Sequence, residues 1–253
     1  MSELFDRYQK GFYQEIYDEL LLMQAQVFEE PVYEDAQMVA REIMKRVRYN
    51  LELIISRLHR MGYEFGKGSF FDDESPEIKA SIAQEVPIFK APTWETSEKV
   101  KQLEHLTGTL PLSLKFWYEE VGCVNLIGLF PSSNDRAFSL DDGFMLDPLF
   151  IYSVDMALTM VKDYISAGVW RRDSTLSLSP DNYHKYGISG AGTYAIRLPC
   201  KAFDAPLLLE RHNTTFVNYL RICCRWGGFP GLESDNRLSQ DEIAFLTRDL
   251  LRF

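Results

Sequence analysis

Cysteine is scarce in this chain: four residues in 253, at Cys123, Cys200, Cys223 and Cys224. They form no C-x-x-C and no framework spacing, which argues against a structural zinc site and against a disulfide-stapled scaffold. Cys223 and Cys224 are neighbours on a predicted helix, where a bridge between them would be strained, so all four read as reduced thiols. No apolar run reaches the roughly 18 residues that a membrane-spanning helix needs. The start, MSELFDRYQK, lacks the basic region and apolar stretch of a secretory signal, so the expected compartment is cytoplasmic. Positive charge is in deficit, with 27 Lys and Arg against 37 Asp and Glu and a net charge of −10. That balance disfavours nucleic acid, whose phosphates would be repelled, and leaves room for a cationic protein partner.

Apolar residues are plentiful. Hydrophobic residues make up 46% and aromatics 13%, enough for a sizeable core and too many for a disordered chain. From about Leu4 to Glu29, residues Phe5, Tyr8, Phe12, Ile16, Leu20, Met23 and Val27 fall at spacings of three and four, one helical stripe. Pro31 interrupts. From about Tyr33 to Met61 a second stripe follows: Ala36, Ala40, Ile43, Val47, Leu51, Ile54 and Leu58. Two long helices with a short link predict an antiparallel hairpin over 1–62, an extension able to mediate a homodimer. The first helix is acid-rich, while the second carries Arg41, Lys45, Arg46, Arg48, Arg57 and Arg60, so ion pairs across the hairpin are expected.

Glycines and prolines punctuate 63–92, which reads as an irregular connection holding the acidic run Asp72-Asp73-Glu74. Beyond it, 93–253 alternates helix and strand signals. Helices are expected up to Thr107, over Pro111–Val121, Asp155–Ala167, Thr215–Trp226 and Gln240–Leu251. Strands are expected at 124–130, 149–152, 176–179 and 193–198. Ser239 reads as a helix cap, and Asn213 or Thr214 as another. The expected fold class is α+β, a central, mainly antiparallel sheet flanked by helices, with the N-terminal helical hairpin added.

Catalytic motifs are weak. Gly190-Ala191-Gly192-Thr193-Tyr194-Ala195 has the G-x-G-x-x-A spacing of a dinucleotide fingerprint, but a strand rather than a helix follows, so a β-turn is expected. Gly187-Ile188-Ser189 begins a nucleophile elbow whose closing glycine, Gly192, falls one place late. The four histidines include no H-x-x-x-H pair. One acid–base or metal constellation is conceivable: His184 and His212 with Asp181 or Glu210, against the simpler reading of two loop histidines making ordinary hydrogen bonds. No cofactor is expected. Trp117, Tyr118, Trp226 and Phe229 read as core.

The segment Thr107–Gly122, TGTLPLSLKFWYEEVG, is the most informative stretch. Gly108 stops one helix, Pro111 opens the next, and Gly122 ends it before a strand. This passage resembles the N-terminal signature of the SUKH superfamily, the Smi/Knr-like domain, and Thr214-Thr215-Phe216-Val217-Asn218-Tyr219-Leu220 is similar to that family's late helix. The likeness spans roughly 93–232. It implies an α+β binding module without catalysis, of which bacterial members serve as immunity proteins that occlude toxins, commonly nucleases, and fungal relatives act as regulatory scaffolds. On that reading an acidic surface docks on a basic toxin, and the candidate contact residues are Asp72, Asp73, Glu74, Asp141, Asp142 and Asp147, all on predicted loops.

Overall fold

The computed structural model describes residues 3–66, 88–130, 146–186, 192–234 and 237–253. Within them the fold is α+β, as expected, with all strand pairing antiparallel. The helices are α1 (Glu3–Gln9), α2 (Tyr13–Leu22), α3 (Val32–Arg60), α4 (Thr96–Thr107), α5 (Leu112–Phe116), α6 (Val154–Ser166), α7 (Phe216–Arg225) and α8 (Gln240–Thr247). The strands are β1 (Glu64–Phe65), β2 (Phe89–Lys90), β3 (Cys123–Asn125), β4 (Gly128–Leu129), β5 (Phe150–Ile151), β6 (Thr175–Ser179) and β7 (Tyr194–Arg197).

The strands are short and fall into three ladders: β1 with β4, β2–β3–β5, and β6 with β7. Further backbone bonds extend them. Tyr152 N–H donates to Leu178 O at 2.8 Å, tying the end of β5 to β6, and Ala195 bridges to Leu208 beyond β7. The run expected as one strand over 124–130 is thus two strands in different ladders. Asn125 Oδ1 accepts from Ile127 N–H at 3.0 Å, a local turn that separates them.

The first expected helix emerges in pieces: α1, α2 and a 3₁₀ turn at Gln24–Phe28. Gly11, at φ +101°, ends α1 and resets the phase of the stripe. Phe12 is consequently exposed while Tyr8, Ile16 and Leu20 are buried. The α1 start lies beside Asp35, whose carboxylate accepts Leu4 N–H at 2.8 Å, and Tyr8 and Tyr13 both sit against the Arg46 guanidinium. So α1 runs alongside α3 in the same sense, and only the later pieces return the chain to the α3 start.

The second stripe holds as read: its seven residues are all buried along α3. That helix packs on α1, α5, α7 and α8, and its stripe shares one core cluster with residues as distant as Phe253. The ion pairs expected across the hairpin are replaced by others. Arg41 pairs with Glu119 and Glu120, Arg46 with Glu42, and Arg48 with Glu52. Arg57 donates to Leu246 O at 3.0 Å and Arg248 O at 2.5 Å, closing the end of α8. Long arginine stems reach whichever carboxylate or carbonyl the packing brings near, and pairs this exposed contribute about 0–1 kcal/mol each.

In the central motif, α5 continues into a π-helical turn, Trp117–Val121, that stops at Gly122. Gly122 has φ +95°, and a Cβ there would lie 2.2 Å from Lys90 O. We expect Gly122→Ala to lose at least about 2 kcal/mol, since backbone strain alone costs about 1–3 kcal/mol and β2 must also move; urea unfolding measures it, and a loss below 1 kcal/mol would contradict the contact. At the chain end the expected Ser239 cap is a full capping box with Glu242.

Candidate functional site

The two nominated histidines each find a carboxylate of their own segment. Asp181 accepts His184 N–H at 3.0 Å, and its other oxygen lies 2.8 Å from His184 Nδ1. Gly192 N–H also donates to that carboxylate, and these donors hold it below the ordinary aspartate range although burial opposes them. His212 is held between Glu210 at Nδ1 and Glu233 at Nε2, the latter at 2.9 Å. Among the described residues no group of three or more His, Cys, Asp or Glu side chains has the arrangement of a metal site. The simpler reading of two hydrogen-bonded loop histidines describes this geometry.

Asp147, expected as a surface acid, is inside the protein at 1% exposure. Its Oδ1 accepts from Lys185 Nζ at 2.5 Å and its Oδ2 from Tyr194 Oη at 3.0 Å, and Lys185 is equally buried. The loop reading placed Asp147 correctly in the chain but wrongly in space: the partner that draws it inward is 38 residues away. Burial pushes the Tyr194 phenol strongly up, with the Asp147 charge adding to it, so it stays a proton donor. Asp147 therefore presents no carboxylate to a partner. Asp72, Asp73, Glu74, Asp141 and Asp142 lie outside the described residues.

All four cysteines are free thiols, as read, and Cys123, Cys223 and Cys224 are buried. Burial pushes the Cys123 and Cys224 thiols up to about 12, which makes them poor nucleophiles at neutral pH. A strand follows Gly192, as expected, while 187–191 lie outside the described residues. Trp117, Tyr118 and Phe229 are buried, as expected.

A feature the sequence reading missed is Trp94. It sits on the Pro92–Glu95 turn before α4 and is 90% exposed. The α4 helix packs on α6, and α6 leads into three more exposed apolar side chains, Tyr164, Ile165 and Val169. The α4/α6 layer also shows solvent the half-exposed carboxylates of Glu95 and Asp155 and the more exposed one of Glu98. An indole in water gains nothing for folding, and Trp is the residue most enriched where interfaces bind. No pattern rule marks it: an aromatic beside a turn reads as core by default.

Comparison with protein-family models, with curated proteins and with solved structures finds no match to this chain.

Proposed function

We propose that this chain is a non-catalytic, cytoplasmic protein-binding module that occludes a basic partner, most consistently as an immunity protein against a toxin domain. The exposure of Trp94 carries the reading. A large apolar side chain held clear of the core, with further apolar side chains at the other end of the same helical layer, is the composition of a binding surface rather than of a reactive cleft. The net charge of −10 favours a cationic partner and electrostatically steered encounter. The resemblance of TGTLPLSLKFWYEEVG to the SUKH signature supports the same class. Among the described residues no helix is long and apolar enough to cross a membrane.

The partner to test is the product of the reading frame beside this gene. The expected result is a co-purifying complex whose association slows steeply as salt rises, and Trp94→Ala should weaken it at least tenfold while leaving the thermal midpoint unchanged. A non-toxic neighbour, no complex with its product, or undiminished binding by Trp94→Ala would refute the reading.

A further inference from the structure

Both ring nitrogens of His212 face a carboxylate. Nδ1 lies against Glu210, and Nε2 lies 2.9 Å from Glu233. An ionised carboxylate only accepts, and a neutral imidazole carries a single N–H. Both contacts are therefore hydrogen bonds only while the ring is an imidazolium. His184 shows the contrast. Its one ring contact among the described residues is Asp181 at Nδ1, which a neutral ring satisfies in the right tautomer.

The bridge ties two segments together. Glu210 sits in the loop between β7 and α7, where its carboxylate also accepts His212 N–H at 2.8 Å and its carbonyl accepts Asn213 N–H at 3.2 Å. Glu233 sits 21 residues beyond His212, on the 3₁₀ turn Pro230–Ser234. Arg211 holds the same turn a second time, donating to Pro230 O at 2.5 Å and to Glu233 at 3.1 Å. A guanidinium keeps its charge at any working pH, so that second hold does not switch.

Burial of Glu210 makes the ring proton decisive. Its side chain is fully buried, and His212 is its one ionic partner among the described residues. Tyr194 from β7 and Tyr219 from α7 also feel the Glu210 charge, but burial pushes both phenols far up, so they stay neutral. Further in, Asp147 has Lys185 as its own counter-ion. With the imidazolium in place, Glu210 and Glu233 are balanced by His212 and Arg211. Without the ring proton one negative charge is in excess, and a buried carboxylate loses its counter-ion.

We propose that His212 is a proton-operated clasp. Protonated, it bridges Glu210 to Glu233 and fastens the 208–213 loop to the 230–234 turn. On losing the proton it releases Glu233, and the loop loosens. The loop carries Leu209, which is 67% exposed beside Gly192, so a surface side chain is held firmly in mild acid and loosely in mild base. The closed form binds one proton more than the open one, so closure weakens as pH rises.

The test is amide hydrogen exchange of the full chain at about pH 5.5 and about pH 8, with each rate divided by its intrinsic value. Protection of His212 N–H and Asn213 N–H is expected to fall at least about fivefold between the two, while amides in the middle of α3 change less than about twofold. Glu233→Gln is the deciding variant, because its amide donates to a neutral ring where the carboxylate cannot. It should keep the loop protected at about pH 8, a direction that damage to the fold does not imitate. His212→Gln, whose side chain does not titrate, should give the same protection at both pH values. A native fall under about twofold, a fall shared by the middle of α3, or a fall undiminished in Glu233→Gln or His212→Gln would overturn the proposal.

Discussion

Replacing Asp204 by alanine is expected to remove about 3–5 kcal/mol of stability. The carboxylate is buried and accepts four hydrogen bonds. Oδ2 receives Tyr17 Oη at 2.7 Å and Val217 N at 3.0 Å; Oδ1 receives Ser113 Oγ at 2.6 Å and Ala205 N at 2.9 Å. These donors come from α2, α5, the start of α7 and the residue after Asp204 itself. The segment before it works the same way, since Ala202 O and Phe203 O accept Leu112 N–H and Ser113 N–H at the start of α5. One loop therefore caps two helices and pins a third. Alanine leaves several buried donors without an acceptor, and each such orphan costs about 1–3 kcal/mol before relaxation. Urea unfolding of the full chain measures the loss; a value under about 1.5 kcal/mol would show that the network relaxes at little cost.

The same carboxyl predicts a pH dependence. Burial raises its pKa above the ordinary value and outweighs the four donors that lower it. The folded chain then holds this proton more tightly than the unfolded one. The stabilisation is complete below the unfolded value, about 3.9, and is lost as pH rises through the folded value. The stability advantage of the native chain over Asp204→Asn should therefore shrink as pH rises above about 4. An advantage that grew over that range would mean the donors, not burial, dominate.

Lys185→Met is expected to cost a similar 3–5 kcal/mol, because it leaves the Asp147 carboxylate buried with only the Tyr194 hydroxyl. The revealing variant is the double one. Adding Asp147→Asn to Lys185→Met removes the stranded charge while keeping an acceptor for Tyr194. Asparagine also tolerates the φ of +51° found at position 147. The double variant should be more stable than Lys185→Met alone by about 1–3 kcal/mol despite carrying one more change. A double variant less stable than the single one would mean that the pair does not act as a unit.

How much was legible in advance depended on the range of each interaction. The buried stripe of α3, the Ser239–Glu242 capping box, and the stops at Gly108 and Gly122 are effects of residues within a few positions of one another, and they appear where the pattern placed them. The cap of α7 shows the limit. Asn213 or Thr214 was the local candidate, yet Asp204, thirteen positions before Val217, does the work. The expected partners of the α3 arginines failed for the same reason: Arg41 finds Glu119 and Glu120 across the fold, not the acidic helix next to it in the chain.

The candidate sites divide along the same line. Which residues carry protons and charge was readable; which of them face water was not. Asp147 looked like a loop acid and is a core ion, while Trp94 drew no reading from the pattern and is the most exposed large hydrophobic side chain of the described residues.

By itself, then, the order of residues determined the α+β class, the long central helix, most helix ends and the free state of the thiols. Only the tertiary structure decided which carboxylates are buried and which aromatic is left in solvent. Periodicity and capping act over one or two turns of chain, whereas burial is set by what distant segments bring against a side chain, and no local pattern encodes that.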